Sequence, residues 1–298
     1  MNRKAEVEIG ELEENLYRHV YKLAGKIGDR NIFNNDKLEE GAEYIKEQFL
    51  SFGYNVKFQD YNVGNKQVKN IIVNKRGERQ PQEVIVVGAH YDTCFNPGGD
   101  DNGSGIAGLL ELARFLSCKQ VERSIKFVAF VNEEPPFFKT ESMGSRVFVR
   151  QAKANKESIK GAIILEMIGY YTDQPHSQHY PPFYSMFYPD QGNFIAVVGN
   201  FHSRGLVKKI VSIFRSYTDF PIKAVAGFSF LGIDFSDHWS FWKEKYQAVM
   251  VTDTGFYRNP HYHRGTDTYD TLDYRRMAEV VKGLGRVLMK LAQEDVVW

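Results

Sequence analysis

Cysteine is scarce: Cys94 and Cys118 are the two in a chain of 298 residues. That excludes a disulfide framework, and the pair reads as free thiols rather than one bridge. Neither has a second cysteine at ligand spacing, which argues against a zinc role for them, although Cys94 lies four residues after His90 and borders the candidate site. Charge of one sign is not in excess either. Lys and Arg total 38 against 37 Asp and Glu, giving +1. No basic run is long enough for a nucleic-acid or membrane patch. Long apolar runs are also missing. The opening MNRKAEVEIGELEENLYRHV lacks the uninterrupted stretch of a secretory signal, and no segment reaches bilayer-spanning length. A soluble protein is expected, cytoplasmic by default, or exported if a signal was trimmed. No repeat and no Pro/Gly/Ser linker divides the chain, so one domain over residues 1–298 is expected.

What is present is a regular alternation of apolar runs. Leu12, Leu16, Val20, Leu23 and Ile27 recur at helical spacing and predict a helix over 8–27. Asn35-Asp36 can cap a second helix that Gly53 stops, so residues 1–53 are read as N-terminal helices packing on the domain. YNVKFQDYNV and VKNIIVNKRG alternate as an antiparallel edge hairpin does. Beyond Pro81, EVIVVGAHY, SIKFVAFVNE, GAIILEMIGY and NFIAVVGN are separated by helical patterns at 103–118, 142–155 and 202–218. Continuous apolar strands between helices indicate parallel strands covered on both faces. QAVMVTDTG adds a strand, and residues 273–293 a closing helix. The fold class is therefore α/β, a three-layer α/β/α domain around a mixed, largely parallel sheet. Residues 171–192 break the alternation with aromatics and prolines and read as a pocket-rim loop.

Chemistry collects where the strands end. His90 closes the first buried strand, with Asp92 two residues on and able to hold the far ring nitrogen. Asp100 and Asp101 sit in a Gly-rich bend before a helix. A helix cap needs only one of them, and a carboxylate with an oxygen toward each of two cations would hold them roughly 3.5–4 Å apart. Glu133-Glu134 follow an apolar strand, and neighbours on extended chain point opposite ways, so one can face a metal and the other a reacting water. Glu166 ends a third strand. His263 closes the set, with His261 as its competitor. Imidazole and carboxylate are zinc donors, and together these residues compose a candidate two-zinc site.

Six landmarks, AHYDT, GGDDNGSG, NEEPPF, LEMIGYY, SDHWSFW and NPHYHRGTDTYDTLD, stand in one order over residues 68–291. In that order the chain resembles the zinc exopeptidase family of the bacterial leucyl aminopeptidases and the glutaminyl cyclases, with a phosphorylase/hydrolase-like fold. The resemblance implies Asp101 as the carboxylate bridging two zinc ions, with Asp100 not a ligand. It implies Glu133 as general base, His90 and Glu166 completing one zinc site, and Glu134 and His263 the other. It further implies Tyr262 as the phenol that polarises the substrate carbonyl, Asp237-His238 beside the site, and a cis peptide after Asp101. One departure stands out: Glu166 occupies a position where many members have Asp, so one zinc ion is expected to be held more weakly than the other.

The implied activity is removal of the first residue from a peptide with a free N-terminus. The cyclases of the family carry Trp before the final His and need one zinc; Tyr262 stands there in this chain, which favours the aminopeptidase. A non-catalytic binding module on the same fold would have lost ligand positions, and none of the five is lost here. The pocket for the first side chain is expected between residues 171–192 and 227–239, with Glu166, Asp173 and Asp234 as candidate acceptors of the substrate amine.

Overall fold

The computed structural model describes residues 3–181, 184–227 and 233–293. Helix α1 (Arg3–Val20) buries Ile9, Leu16 and Val20, and continues as a π turn, Tyr21–Ile27, that buries Leu23, Ala24 and Ile27. Helix α2 (Asn35–Ser51) follows, and Gly53 leaves it at φ 84°, the left-handed conformation that glycine enters without steric cost. Strands β1 (Lys57–Val63) and β2 (Lys66–Lys75) form the expected antiparallel hairpin, with β1 at the sheet edge. The chain then runs β3 (Gln80–His90), α3 (Gly105–Ser117), β4 (Arg123–Phe130), α4 (Gly144–Ala154) and β5 (Ser158–Leu165). After the long loop come β6 (Ile195–Asn200), α5 (Arg204–Tyr217), β7 (Ile222–Gly227), α6 (His238–Lys243), β8 (Ala248–Thr252) and α7 (Tyr274–Gln293).

The eight strands are ordered β1-β2-β4-β3-β5-β8-β6-β7. The centre, β4-β3-β5-β8, is parallel. Strand β6, read from sequence as another parallel strand, runs antiparallel to β8, because the loop after β5 brings the chain back in the opposite direction. An apolar run buried on both faces carries no record of its direction, which explains the misreading. Strand β7 pairs parallel to β6 at the far edge. It was not anticipated: its half-exposed pattern, with Lys223 near its start, lacks an apolar run.

The alternation of side chains along β3 produces the layers. Ile85, Val87 and Ala89 face a core shared with α1, α2, α3, α5 and α7, whereas Val84 and Val86 face Phe148 and Val149 of α4 and Phe241 of α6. The N-terminal segment is tied to the loop after β3 by Arg30. Its buried guanidinium donates to the carbonyl oxygens of Leu23, Gly28, Tyr91 and Pro97 at 2.7–3.0 Å. Burial lowers Arg30 to about 10, against the pull of Asp267 and Asp92. It remains charged, and a buried charge satisfied by these carbonyls and by that of Gly98, at 3.4 Å, fixes the loops it joins.

Candidate active site

The C-terminal ends of β3, β4 and β5 lie side by side, and each passes the chain directly to a chemically active residue. His90 is the last residue of β3, Glu133 and Glu134 follow β4 by three and four residues, and Glu166 immediately follows β5. Open α/β sheets keep their binding crevices at this edge. Asp101 comes from the turn Gly99–Ser104 that opens α3, and His263 from the loop between β8 and α7. Asn132 (φ 59°), Met167 (φ 51°) and His263 itself (φ 55°) hold left-handed backbone at three of these junctions. Such conformations cost on the order of 1 kcal/mol or more for residues other than glycine, and they cluster where geometry is imposed by the surroundings.

The side chains converge around Asp101. Its Oδ1 lies 3.3 Å from Nε2 of His90 and its Oδ2 lies 3.2 Å from Nε2 of His263. Glu166 Oε2 is 3.4 Å from the same nitrogen of His90, and Glu134 Oε2 is 3.1 Å from that of His263. Glu133 reaches the cluster from one side, with Oε2 at 3.9 Å from His90 Nε2. Nε2 of both histidines and Oε1 of Glu134 are buried without a hydrogen-bond partner. A buried polar atom left unpaired is costly, and these atoms are imidazole nitrogen and carboxylate oxygen, the donors zinc takes. The residues present fit a divalent metal centre.

Among the described residues, two groups bring three ligand atoms within 4.8 Å of one another: His90, Asp101 and Glu166, and Cys94, Glu134 and His263. The second group includes Cys94, which was expected to border the site without a zinc role. Ligand spacing along the chain is a rule for local pairs, and here the loop after β3 brings the sulfur to residues 40 and more positions away.

The electrostatics follow from burying acids beside imidazoles. Burial lifts Glu133 well above the usual carboxylate range, and Glu134 to about 8, with neighbouring carboxylates adding to the effect. Burial also raises Asp101, but His263 and His90 outweigh it and hold this carboxyl low. For His263, Asp101 and Glu134 overcome burial and raise the ring to about 10. Burial, helped by the same acids, keeps the Tyr262 phenol protonated far beyond its ordinary range.

Asp100, expected not to be a ligand, and His261, the competitor of His263, fall outside the cluster. Asp100 turns away, accepting from the Gly169 amide at 2.9 Å and from Asn259 Nδ2 at 2.7 Å, and burial raises it beside Asp253. His261 points its Nδ1 at Thr266 Oγ1, 3.0 Å away. Asp237 and His238 are buried at the start of α6, and burial pushes Asp237 up to about 7 in the field of His90 and Glu166.

Other residues position the cluster, and of these Asp267 and Ser236 carried no signal in the sequence. Asp92 was expected to hold the His90 ring. Its backbone oxygen lies 3.1 Å and its Oδ1 3.6 Å from Nδ1, and its carboxylate also accepts the amides of Glu133 and Glu134, both at 3.1 Å. Asp267 accepts the amides of Asp100 (2.8 Å) and Asp101 (3.1 Å). The peptide between Asp101 and Asn102 is cis, and the Asn102 side chain bonds Leu165 O, Gly105 N and Met167 N. Ser236 donates to Glu166 Oε2 at 2.6 Å.

Glu166 and Tyr262 open onto a cavity whose apolar lining includes Phe194, Val198, Ile233 and Met250. Gln178, His179, Tyr180, Pro181 and Tyr188 of the long loop also line it. Residues 182–183 and 228–232, within the two stretches expected to form this pocket, lie outside the described residues. Asp173 is paired with Arg276 and Asp234 with Lys139, and neither lines the cavity.

The profile of peptidase family M28 matches residues 70–287. A protein of Escherichia coli K12, "Uncharacterized protein YfbL", is 42% identical over 282 residues, 91% of this chain and 86% of that protein. "Probable aminopeptidase YDR415C" of Saccharomyces cerevisiae is 27% identical over 235 residues, covering 74% of this chain and 57% of its own length. Among solved structures, BSAP, a zinc aminopeptidase from Bacillus subtilis, superposes with a TM-score of 0.77 at 14% identity over 96% of each chain. The glutaminyl cyclase of Porphyromonas gingivalis does so at 0.71 and 19% identity, over 94% of this chain and 98% of that one. At these identities the two superpositions speak for the shared fold, which hosts both kinds of enzyme.

Proposed function

This chain belongs to peptidase family M28, and from that membership we propose that it is a zinc-dependent aminopeptidase that releases the first residue of peptides with a free N-terminus. The observation that carries the reading is the placement of Asp101, one oxygen toward His90 and the other toward His263. That is the disposition of a carboxylate shared by two cations. His90, Asp101 and Glu166 would hold one ion; Asp101, Glu134 and His263 would hold the other. When bound, zinc supplies Lewis acidity toward the scissile carbonyl and acidifies water.

Glu133 stands beside this cluster without being needed for it. Its carboxylate, with Oε2 3.9 Å from His90 Nε2, is placed to take the proton of the attacking water and to return it to the leaving amine. The Tyr262 phenol, which burial keeps protonated, donates to the carbonyl oxygen as that atom gains charge. The apolar cavity between Glu166 and Tyr262 receives the first side chain and favours an apolar one. Of the three acids considered for the substrate amine, Glu166 is the one that lines this cavity. Replacing Glu133 by Gln tests the assignment. Metal content should be unchanged while kcat falls by roughly 10²–10⁴-fold; full activity in the variant would overturn it.

A further inference from the structure

Cys94 is a free, half-buried thiol in the loop after β3. Its sulfur, an oxygen of Glu134 and a ring nitrogen of His263 lie within 4.8 Å of one another. A second feature points to a ligand at the same place without involving the cysteine. Glu134 is only 4% exposed, and its Oε1 has no hydrogen-bond partner, nor has Nε2 of His263. Asp101 adds its Oδ2, 3.2 Å from that nitrogen. One sulfur, one oxygen and one nitrogen thus share a single group, and the Asp101 oxygen borders it through His263.

We propose that Cys94 is a protein ligand of the ion held by Asp101, Glu134 and His263; the inference rests on the metal reading above. On binding, the thiol releases its proton to solvent as the sulfur–metal bond forms, filling a position that water would otherwise take. The two ions then differ in kind. The one at Asp101, Glu134, His263 and Cys94 has four protein donors, the number of a closed tetrahedral site. The one at His90, Asp101 and Glu166 has three and keeps an open position. A thiolate also biases the closed site toward zinc over manganese or magnesium. Metal loss exposes the sulfur to thiol reagents, which would make this site sensitive to oxidants when empty.

The test is titration of the metal-free protein with cobalt(II), followed by near-ultraviolet absorption. A sulfur-to-cobalt charge-transfer band should appear in the wild type and in Cys118→Ser, and be absent from Cys94→Ser. Chelator competition should show one of the two ions bound at least tenfold more weakly in Cys94→Ser. Alkylation of the wild type, mapped by mass spectrometry, needs no variant. Zinc should protect Cys94, while the exposed Cys118 reacts equally with and without it. Two cobalt ions bound without the band, or a Cys94 that zinc leaves unprotected, overturns the inference and leaves the metal reading standing. No cobalt bound at all overturns both.

Discussion

Tyr262 lies nearly parallel to the His263 ring, with centroids 3.8 Å apart and planes 15° from parallel. Removing its hydroxyl should leave that stack, and therefore the proposed metal ligands, in place. Tyr262→Phe is expected to keep full metal content and lose roughly 10–100-fold in kcat, at or below the cost of one oxyanion donor. Steady-state kinetics beside metal analysis checks this, and an unchanged kcat would remove the phenol from the chemistry. His90, Glu133, Glu134 and Glu166 were legible because each follows an apolar strand, where an unpaired charge has no bland explanation. Asp101 and His263 needed the ordered motifs as well. Asp267 and Ser236 were not legible as positioning groups, and Asp92 was legible only toward the neighbouring His90 ring. Asp92 bonds across 41 residues and Asp267 across 166, and nothing local in either segment records the partner.

Apolar runs and their breaks account for how far the secondary structure was readable. β3, β4, β5 and β8 are continuous buried runs and were read correctly as strands, whereas β7 is a half-exposed edge and was missed. α6 is six residues long, too short for helical periodicity to register. Strand β6 supplies Ala196 to the cavity wall. Enlarging that side chain should cut into the space for the substrate. Ala196→Leu is expected to lower kcat/KM for N-terminal Leu relative to N-terminal Ala by about 10-fold or more, the scale of one to three methylenes in an apolar pocket. Equal loss for both substrates would argue that this cavity does not hold the first side chain.

Helix α6 makes a pH prediction of its own. His238 is buried, with Nε2 2.7 Å from the Ile233 carbonyl oxygen and its ring 4.5 Å from that of Trp242. Burial lowers it to about 4. The unfolded chain takes up this proton near 6.5, so the stabilising contribution is intact above about pH 6.5 and is lost as pH falls toward 4. The full loss is on the order of 3 kcal/mol. Asp237, raised to about 7 by burial, works in the opposite sense: its contribution is present at low pH and lost as pH rises through 7. Urea melts at pH 7 and pH 4.5 should show His238→Phe losing less stability between the two than the wild type does. Parallel losses would contradict the assignment to His238.

Helices on both sides of the sheet leave one edge of it free, and that edge is where β3, β4 and β5 deliver their histidine and acids. The architecture thus brings buried carboxylates and imidazoles together at high energetic cost, which a bound cation would relieve. Among the described residues no helix is long and apolar enough to cross a membrane. The most direct measurement is mass spectrometry of a peptide pool containing N-terminal Leu and N-terminal Gln peptides, some N-acetylated, with zinc-loaded protein and again with chelator. Expected is loss of whole N-terminal residues from the free peptides alone, abolished by chelator and restored by zinc. Loss of ammonia from the Gln peptides with no residue released, or residue release that chelator leaves untouched, would contradict a zinc-dependent aminopeptidase.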